Sequence, residues 1–364
     1  MTAASPAAGP AHDPRQEGAE RWWQRFPLAR YVLVRLVVSV LLIWGVTLVT
    51  FVLTNLVPSN PAAAALGERA ASNPDTVKAF ERQYGLDQPV PQQYVSYLGR
   101  LVHLNLGQST QTHNAVWDDL RSAFPATAEL AVTALVIAAV LAIVLGLAAA
   151  LRRGSILDQV VRVGSLIGFS TPTFWLALVI FYVFSYKLGW FPGSGRLDPQ
   201  FDPPPQRTGF YTIDALLAGQ IAVFVNAVEH LVLPAFVLVL YTLGILTRFC
   251  RTAVLEVLGN DYVTAARAKG LPRSAVTRRY ILRAAAVPIL TMIGLTFASV
   301  LSGAVLTETV FAWGGIGQYA YKAATTLDLQ AIMGVGLLIG IIYVVVNFIV
   351  DLLYGVLDPR VRDR

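Results

Sequence analysis

Four apolar runs of membrane-spanning length, with two more that are interrupted but long enough, constrain this chain more than any other feature of its sequence. They fall at 31–57, 127–151, 163–188, 231–249, 286–306 and 331–353. A helix needs about 20 residues to cross the roughly 30 Å of hydrocarbon in a bilayer. Backbone amides in lipid must be bonded internally, so each run reads as a helix. The alternating pattern of a transmembrane β-strand is absent. The expected fold class is therefore an all-α polytopic membrane protein with six transmembrane helices.

The runs divide the chain into a tail at 1–30, a first transmembrane helix at 31–57, an extracytoplasmic segment at 58–126, a core with five helices at 127–356 and a short C-terminus at 357–364. The tail holds Pro6, Pro10 and Pro14 without an apolar period and is expected to be disordered. Trp22, Trp23 and Phe26 at its end fit either an interfacial anchor or a plain spacer. Bases set the orientation. Arg15, Arg21, Arg25 and Arg30 precede the first run, Arg152 and Arg153 follow the second, a dense group follows the fourth, and Arg360, Arg362 and Arg364 close the chain. These segments share one side, which places both termini in the cytoplasm.

Several function classes lack the residues they need. The net charge of +6 invites a nucleic-acid reading, but the bases cluster at span ends, as topology requires. Cys250 is the only cysteine, and His12, His103, His113 and His230 lack ligand spacing, so no metal site is expected. Neither a phosphate-cradling G-x-x-x-x-G-K-[ST] loop nor a G-x-S-x-G elbow or H-E-x-x-H helix occurs, so no catalytic residues are assigned. An ion-coupled carrier needs ionisable groups within the bilayer. Here Arg35, Glu129, Lys187, Glu308 and Asp351 all lie near span ends. A passive channel survives this test, yet gives no reason for the basic loop after the fourth run.

That loop carries the most information. Asp261 supplies the acid favoured at a helix N-terminus, Ala265, Ala266, Arg267, Ala268 and Lys269 are good helix formers, and Gly270 with Pro272 supplies a break. Small residues at Ala265, Ala266 and Gly270 suit close approach of another backbone. Arg267, Lys269, Arg273, Arg278 and Arg279 can pair with acids on a partner or with anionic membrane lipid. Two readings fit: a docking helix, or an amphipathic surface helix that obeys the positive-inside rule. In the third run, Thr171, Pro172, Phe174 and Trp175 fit either a cavity wall around a freed carbonyl or a packed proline kink. In the outward segment, Tyr94, Leu98, Leu101 and Val102 recur at helical spacing and fit either a dock for a partner or a packed cap.

Thr264-Ala265-Ala266-x-x-x-Gly270 resembles the EAA loop of ABC importer permeases, and Asp261-Tyr262-Val263 with Ala266 to Leu271 is similar to its form in the dipeptide/oligopeptide family. Thr264 stands where the general motif has glutamate. Further ordered matches are Arg35, Pro58 to Ala62, Tyr84 to Pro89, Leu104 to Ser109, Phe124 to Leu130, Thr171 to Trp175, Leu188 to Pro192, Glu308 to Phe311, Gly315-Ile316-Gly317 and Asp358-Pro359-Arg360. Ser59, Asn60 and Gly314 depart from the pattern.

The resemblance implies a type I ABC importer permease in the cell (inner) membrane, with a cytoplasmic coupling helix between spans four and five. Its partners would be a second homologous permease subunit, two ABC ATPase subunits and an extracytoplasmic peptide-binding protein. No cofactor would be bound by this chain; ATP and Mg would sit on the ATPase subunits. Asp261, Tyr262, Thr264, Ala265, Ala266, Arg267, Lys269 and Gly270 would couple to an ATPase, and Thr171, Pro172, Phe174 and Trp175 would border the path. Peptides are the implied substrate; nickel complexes and glutathione-like peptides are handled within the same family.

Overall fold

A computed structural model describes residues 27–56, 73–84 and 88–357. The expectations for residues 1–26 of the N-terminal tail, for Pro58 to Ala62 and for Asp358 to Arg360 lie outside the described residues, whereas 27–30, expected in the tail, open the first helix. In chain order the helices are α1 (Pro27–Leu56), α2 (Pro74–Tyr84), α3 (Val90–Val102), α4 (Val116–Leu151), α5 (Ile156–Ser170), α6 (Thr173–Ile180), α7 (Tyr211–Leu217), α8 (Ile221–Leu258), α9 (Asp261–Ala268), α10 (Arg273–Val276), α11 (Leu282–Val310), α12 (Ile316–Thr325) and α13 (Leu329–Leu357). Two π-helical turns, Phe181–Lys187 and Thr277–Ile281, extend α6 and join α10 to α11. Among the described residues there is no strand.

The centre is the pair α4 and α8. Ala131, Ala134, Ala138, Ala142, Gly146 and Ala150 recur along one face of α4 and are all buried, while Val132, Val136, Val140 and Val144 face outward. A stripe of small residues lets two backbones approach closely, and branched residues on the other face suit lipid. The approach is tight enough that a Cβ on Gly146 would lie 2.7 Å from Cys250 Cβ and 3.0 Å from the Arg251 amide. α11 closes a second side of this pair and α13 packs on α11 and α1.

The third apolar run is not one straight span. α5 stops at Ser170, Thr171 and Pro172 are extended (ψ 125° and 128°), and α6 leaves at 99° to α5. Proline disfavours the helical conformation in the residue before it and lacks the N–H that would continue the ladder. Pro172 thus stands before α6 rather than inside a helix, which corrects the expectation of a freed carbonyl within a continuous span. Among the described residues five helices are long and apolar enough to cross a membrane, and the two arms of α5 and α6 together supply a sixth such segment.

Between the first and second apolar runs, α3 lies against α1. Tyr94 Oη is 2.9 Å from Thr47 Oγ1, and the Phe51 ring meets Tyr94 and Tyr97 at 5.2 and 5.8 Å. The buried residue is Tyr97, while Val102, expected on the apolar face, is 81% exposed.

Candidate functional site

The basic loop after α8 folds as a short helix whose two faces differ sharply. Gly259 ends α8, Asn260 adopts the extended backbone of an N-cap (ψ 144°), and Asp261 occupies the first turn of α9, where a carboxylate favours the helix dipole. At the other end the Gly270 amide bonds the Arg267 carbonyl at 3.0 Å, and the Leu271 amide bonds the Ala266 carbonyl at 3.4 Å. This pair of bonds is a Schellman closure, and it needs the left-handed backbone that Gly270 supplies at φ +74°. Pro272 then opens α10. The helix and the break expected from the sequence are both present.

Val263 and Ala266 point inward. They are 0% and 4% exposed and join the main core with Val254, Val257, Val276 and Ile281. Asp261, Tyr262, Thr264, Ala265, Arg267, Lys269 and Gly270 stand on the exposed face. The structure therefore splits the expected set: Ala266 serves the chain's own packing and is unavailable for close approach of another backbone. Ala268 and Leu271, like Tyr262, are exposed. Arg273, Arg278, Arg279 and Arg283 extend the cationic surface.

Thr171, Pro172, Phe174 and Trp175 lie elsewhere, at the break between α5 and α6. Phe174 and Trp175 are 48% and 53% exposed, and Pro172 is exposed too. Gly168, just before the break, meets α8 at the Leu240 carbonyl. From there to the end of α8 is about 27 Å at 1.5 Å per helical residue, so the two sets are separate.

The end of the molecule opposite α9 is held by buried polar contacts that hydropathy does not reveal. Arg196 Nη2 lies 2.5 Å from Glu129 Oε2, with its guanidinium 3.6 Å over the Tyr211 ring. Glu129 also accepts from the Thr212 amide and hydroxyl at 2.9 and 2.6 Å. Asn226 and His230 of α8 hold Asp198 at 2.6 and 3.2 Å. Thr127 donates to Glu308 at 2.6 Å and accepts the Ile316 amide at 2.8 Å. A Cβ on Gly315 would fall 2.4 Å from Thr127 Oγ1, and one on Gly317 2.5 Å from Val305 Cα, which explains the Gly-Ile-Gly run. Asp328 accepts from Ser109 at 2.6 Å and from the Ala331 amide at 3.1 Å, so it ties the loop between α3 and α4 to the start of α13.

Residues 142–363 match the family described as binding-protein-dependent transport system inner membrane component, and residues 28–131 match the N-terminal segment described for the same membrane components. The chain is 44% identical to the di/tripeptide transport system permease protein DppB of Pseudomonas aeruginosa over 321 residues, covering 88% of this chain and 95% of that one. It is 44% identical to the probable D,D-dipeptide transport system permease protein DdpB of Escherichia coli, covering 88% and 94%. The dipeptide transport system permease protein DppB of Escherichia coli is 38% identical, covering 93% and 100%. A solved chain from the inward-facing MetNI methionine ABC transporter overlays with a TM-score of 0.43 at 17% identity, covering 64% of this chain and 94% of that one. With a helical membrane fold, a surface-mounted α9 and matches that run from residue 28 to residue 363, this chain belongs to the family of binding-protein-dependent transport system inner membrane components.

Proposed function

We propose that this chain is the permease subunit of an ATP-driven importer of dipeptides or short oligopeptides. Relatives that it covers almost end to end carry dipeptide permease names, which supports the substrate class. In this reading the end bearing α9 faces the cytoplasm, and both termini lie on that side. A second permease completes the path, two ATPase subunits dock beneath, and an extracytoplasmic binding protein delivers the peptide. ATP and Mg belong to the ATPase subunits, and this chain performs no covalent chemistry.

The observation that carries the proposal is the division of α9 into a face locked in the core by Val263 and Ala266 and a cationic outer face from Asp261 to Gly270. Such a helix transmits force in both directions: a partner that moves its outer face must move the buried face and the end of α8 with it. Thr171, Pro172, Phe174 and Trp175 then border the path at the break in the third apolar segment, where extended backbone within a membrane calls for a cavity or protein neighbour.

Purification of the full chain from its native membranes in mild detergent, with mass spectrometry of what accompanies it, tests the assignment. Two ATPase subunits and a second permease are expected. Recovery as a homo-oligomer without any nucleotide-binding chain would overturn the importer reading and favour a passive channel or a secondary carrier.

A further inference from the structure

Between α5 and α8, toward the end of the molecule that bears α9, lies an open cavity of about 700 Å³. α5 and α8 make backbone contact at its deep end, where a Cβ on Gly244 would sit 2.7 Å from the Ser165 carbonyl. The walls change character along the helices. Leu166, Phe169 and Ile245 line the deeper part, whereas Arg162, Arg248 and Arg251 line the part nearer the turn before α5 and the end of α8.

The three arginines are not equivalent. Arg251 is held by Asp158 through Nε at 2.6 Å and Nη2 at 3.0 Å, and the Gly154 amide adds a third bond to that carboxylate at 3.0 Å. Arg162 reaches the same carboxylate only at 3.9 Å and is 55% exposed. Arg248 has no side-chain partner among the described residues, and it is exposed. One carboxylate thus offsets one guanidinium and leaves two cations facing the groove. A further group there is unsatisfied: Thr247, 1% exposed and lining the cavity, has a buried hydroxyl with no hydrogen-bond partner. A buried hydroxyl without a partner is costly.

We infer that this groove binds an anionic phospholipid, with the phosphate on Arg162 and Arg248 and an acyl chain along Leu166, Phe169 and Ile245. The cationic rim near the membrane surface and the apolar floor deeper in match the grading of a lipid within one leaflet. Basic pockets between transmembrane helices on the cytoplasmic side suit such headgroups. A free phosphate would satisfy the rim and leave the apolar floor bare. The occupant would bridge α5 and α8 beyond their glycine contact and stiffen the base on which α9 stands.

The test uses the full-length chain in an uncharged detergent, with lipid retention read by native mass spectrometry. Phosphatidylglycerol should be retained in preference to phosphatidylcholine. R162Q/R248Q should weaken phosphatidylglycerol binding about tenfold or more, given the contribution of each base near a membrane surface. T247V should weaken it less, and R162K/R248K, which keeps both charges, should retain most of it. R152Q/R153Q, on the turn outside the groove, controls for general charge and should leave binding unchanged; equal thermal midpoints establish that all variants are folded. Equal retention of the two lipids, or wild-type binding by R162Q/R248Q, would overturn the site. Displacement of phosphatidylglycerol by millimolar inorganic phosphate would overturn the lipid as its occupant.

Discussion

Arg196 and Glu129, 67 residues apart in sequence, form an ion pair at 2.5 Å whose side chains are 11% and 3% exposed. Breaking one side of a buried pair leaves the other charge stranded, at a cost of about 3–5 kcal/mol, whereas replacing both can be nearly neutral. Arg196→Met should therefore lower the thermal midpoint strongly, and Arg196→Met with Glu129→Gln should recover much of the loss. A single variant as stable as the double would show that the pair holds nothing.

Asp214 lies on α7 outside the spanning helices, and its carboxylate accepts from the Arg207, Thr208 and Gly209 amides and the Thr208 hydroxyl at 2.8–3.1 Å. Enclosure raises its pKa, and these hydrogen bonds together outweigh that effect, so the carboxyl titrates below its ordinary range. A depressed folded pKa stabilises above the unfolded value, about 4, and the contribution is lost as pH falls through the folded value. Hydrogen exchange at residues 207–209 should be flat from pH 8 to about pH 5, after correction for intrinsic rates, and accelerate below about pH 4. Asp214→Asn should abolish most of this dependence.

Two glycines on adjoining helices should respond oppositely to the same methyl group. A Cβ on Gly244 meets the Ser165 carbonyl at 2.7 Å and the Phe169 amide at 3.0 Å, both backbone atoms that cannot swing aside, whereas one on Gly164 meets nothing within 4 Å. Gly244→Ala should cost about 1–3 kcal/mol through overpacking. Gly164→Ala should be neutral or slightly stabilising, since glycine weakens a helix by roughly 0.5–1 kcal/mol relative to alanine. Thermal unfolding of the two variants side by side decides the matter.

Gly270 separates backbone strain from obstruction at the proposed docking face. It has φ +74° and open space around it. Asparagine tolerates that backbone, so Gly270→Asn should preserve peptide uptake driven by ATP. Gly270→Trp should leave the chain in the membrane while ATP turnover no longer drives uptake. Uptake at the wild-type rate by the tryptophan variant would remove Gly270 from the coupling surface.

Much of the helical plan was legible because apolar length registers directly in composition. Helix starts were less so. α4 begins at Val116 and α8 at Ile221, ahead of the apolar runs at 127 and 231, because polar residues interrupt hydropathy near their starts: Asp118, Asp119 and Arg121 in α4, and Asn226, Glu229 and His230 in α8. Asp118 and Asp119 in the first turn of α4 are the signal that could have revealed it. For α9, the helix and its glycine stop were readable from local preferences, but the inward turn of Ala266 was not, because burial depends on where α8 and α10 lie. The contacts of Glu129 with Arg196 and of Asp198 with His230 left no local trace. A pattern shows that a residue is charged, and only the fold shows which distant group meets it.

α8 runs unbroken through 38 residues, a length of about 57 Å, which exceeds the roughly 40–45 Å of a whole bilayer. It carries Asn226 and His230 near one end and delivers the chain to α9 at the other. As a lever pivoting near its middle, it would displace both ends by about 5 Å for a tilt of about 10°. In the proposed orientation, a push on α9 would then also move the end of α8 that holds Asp198.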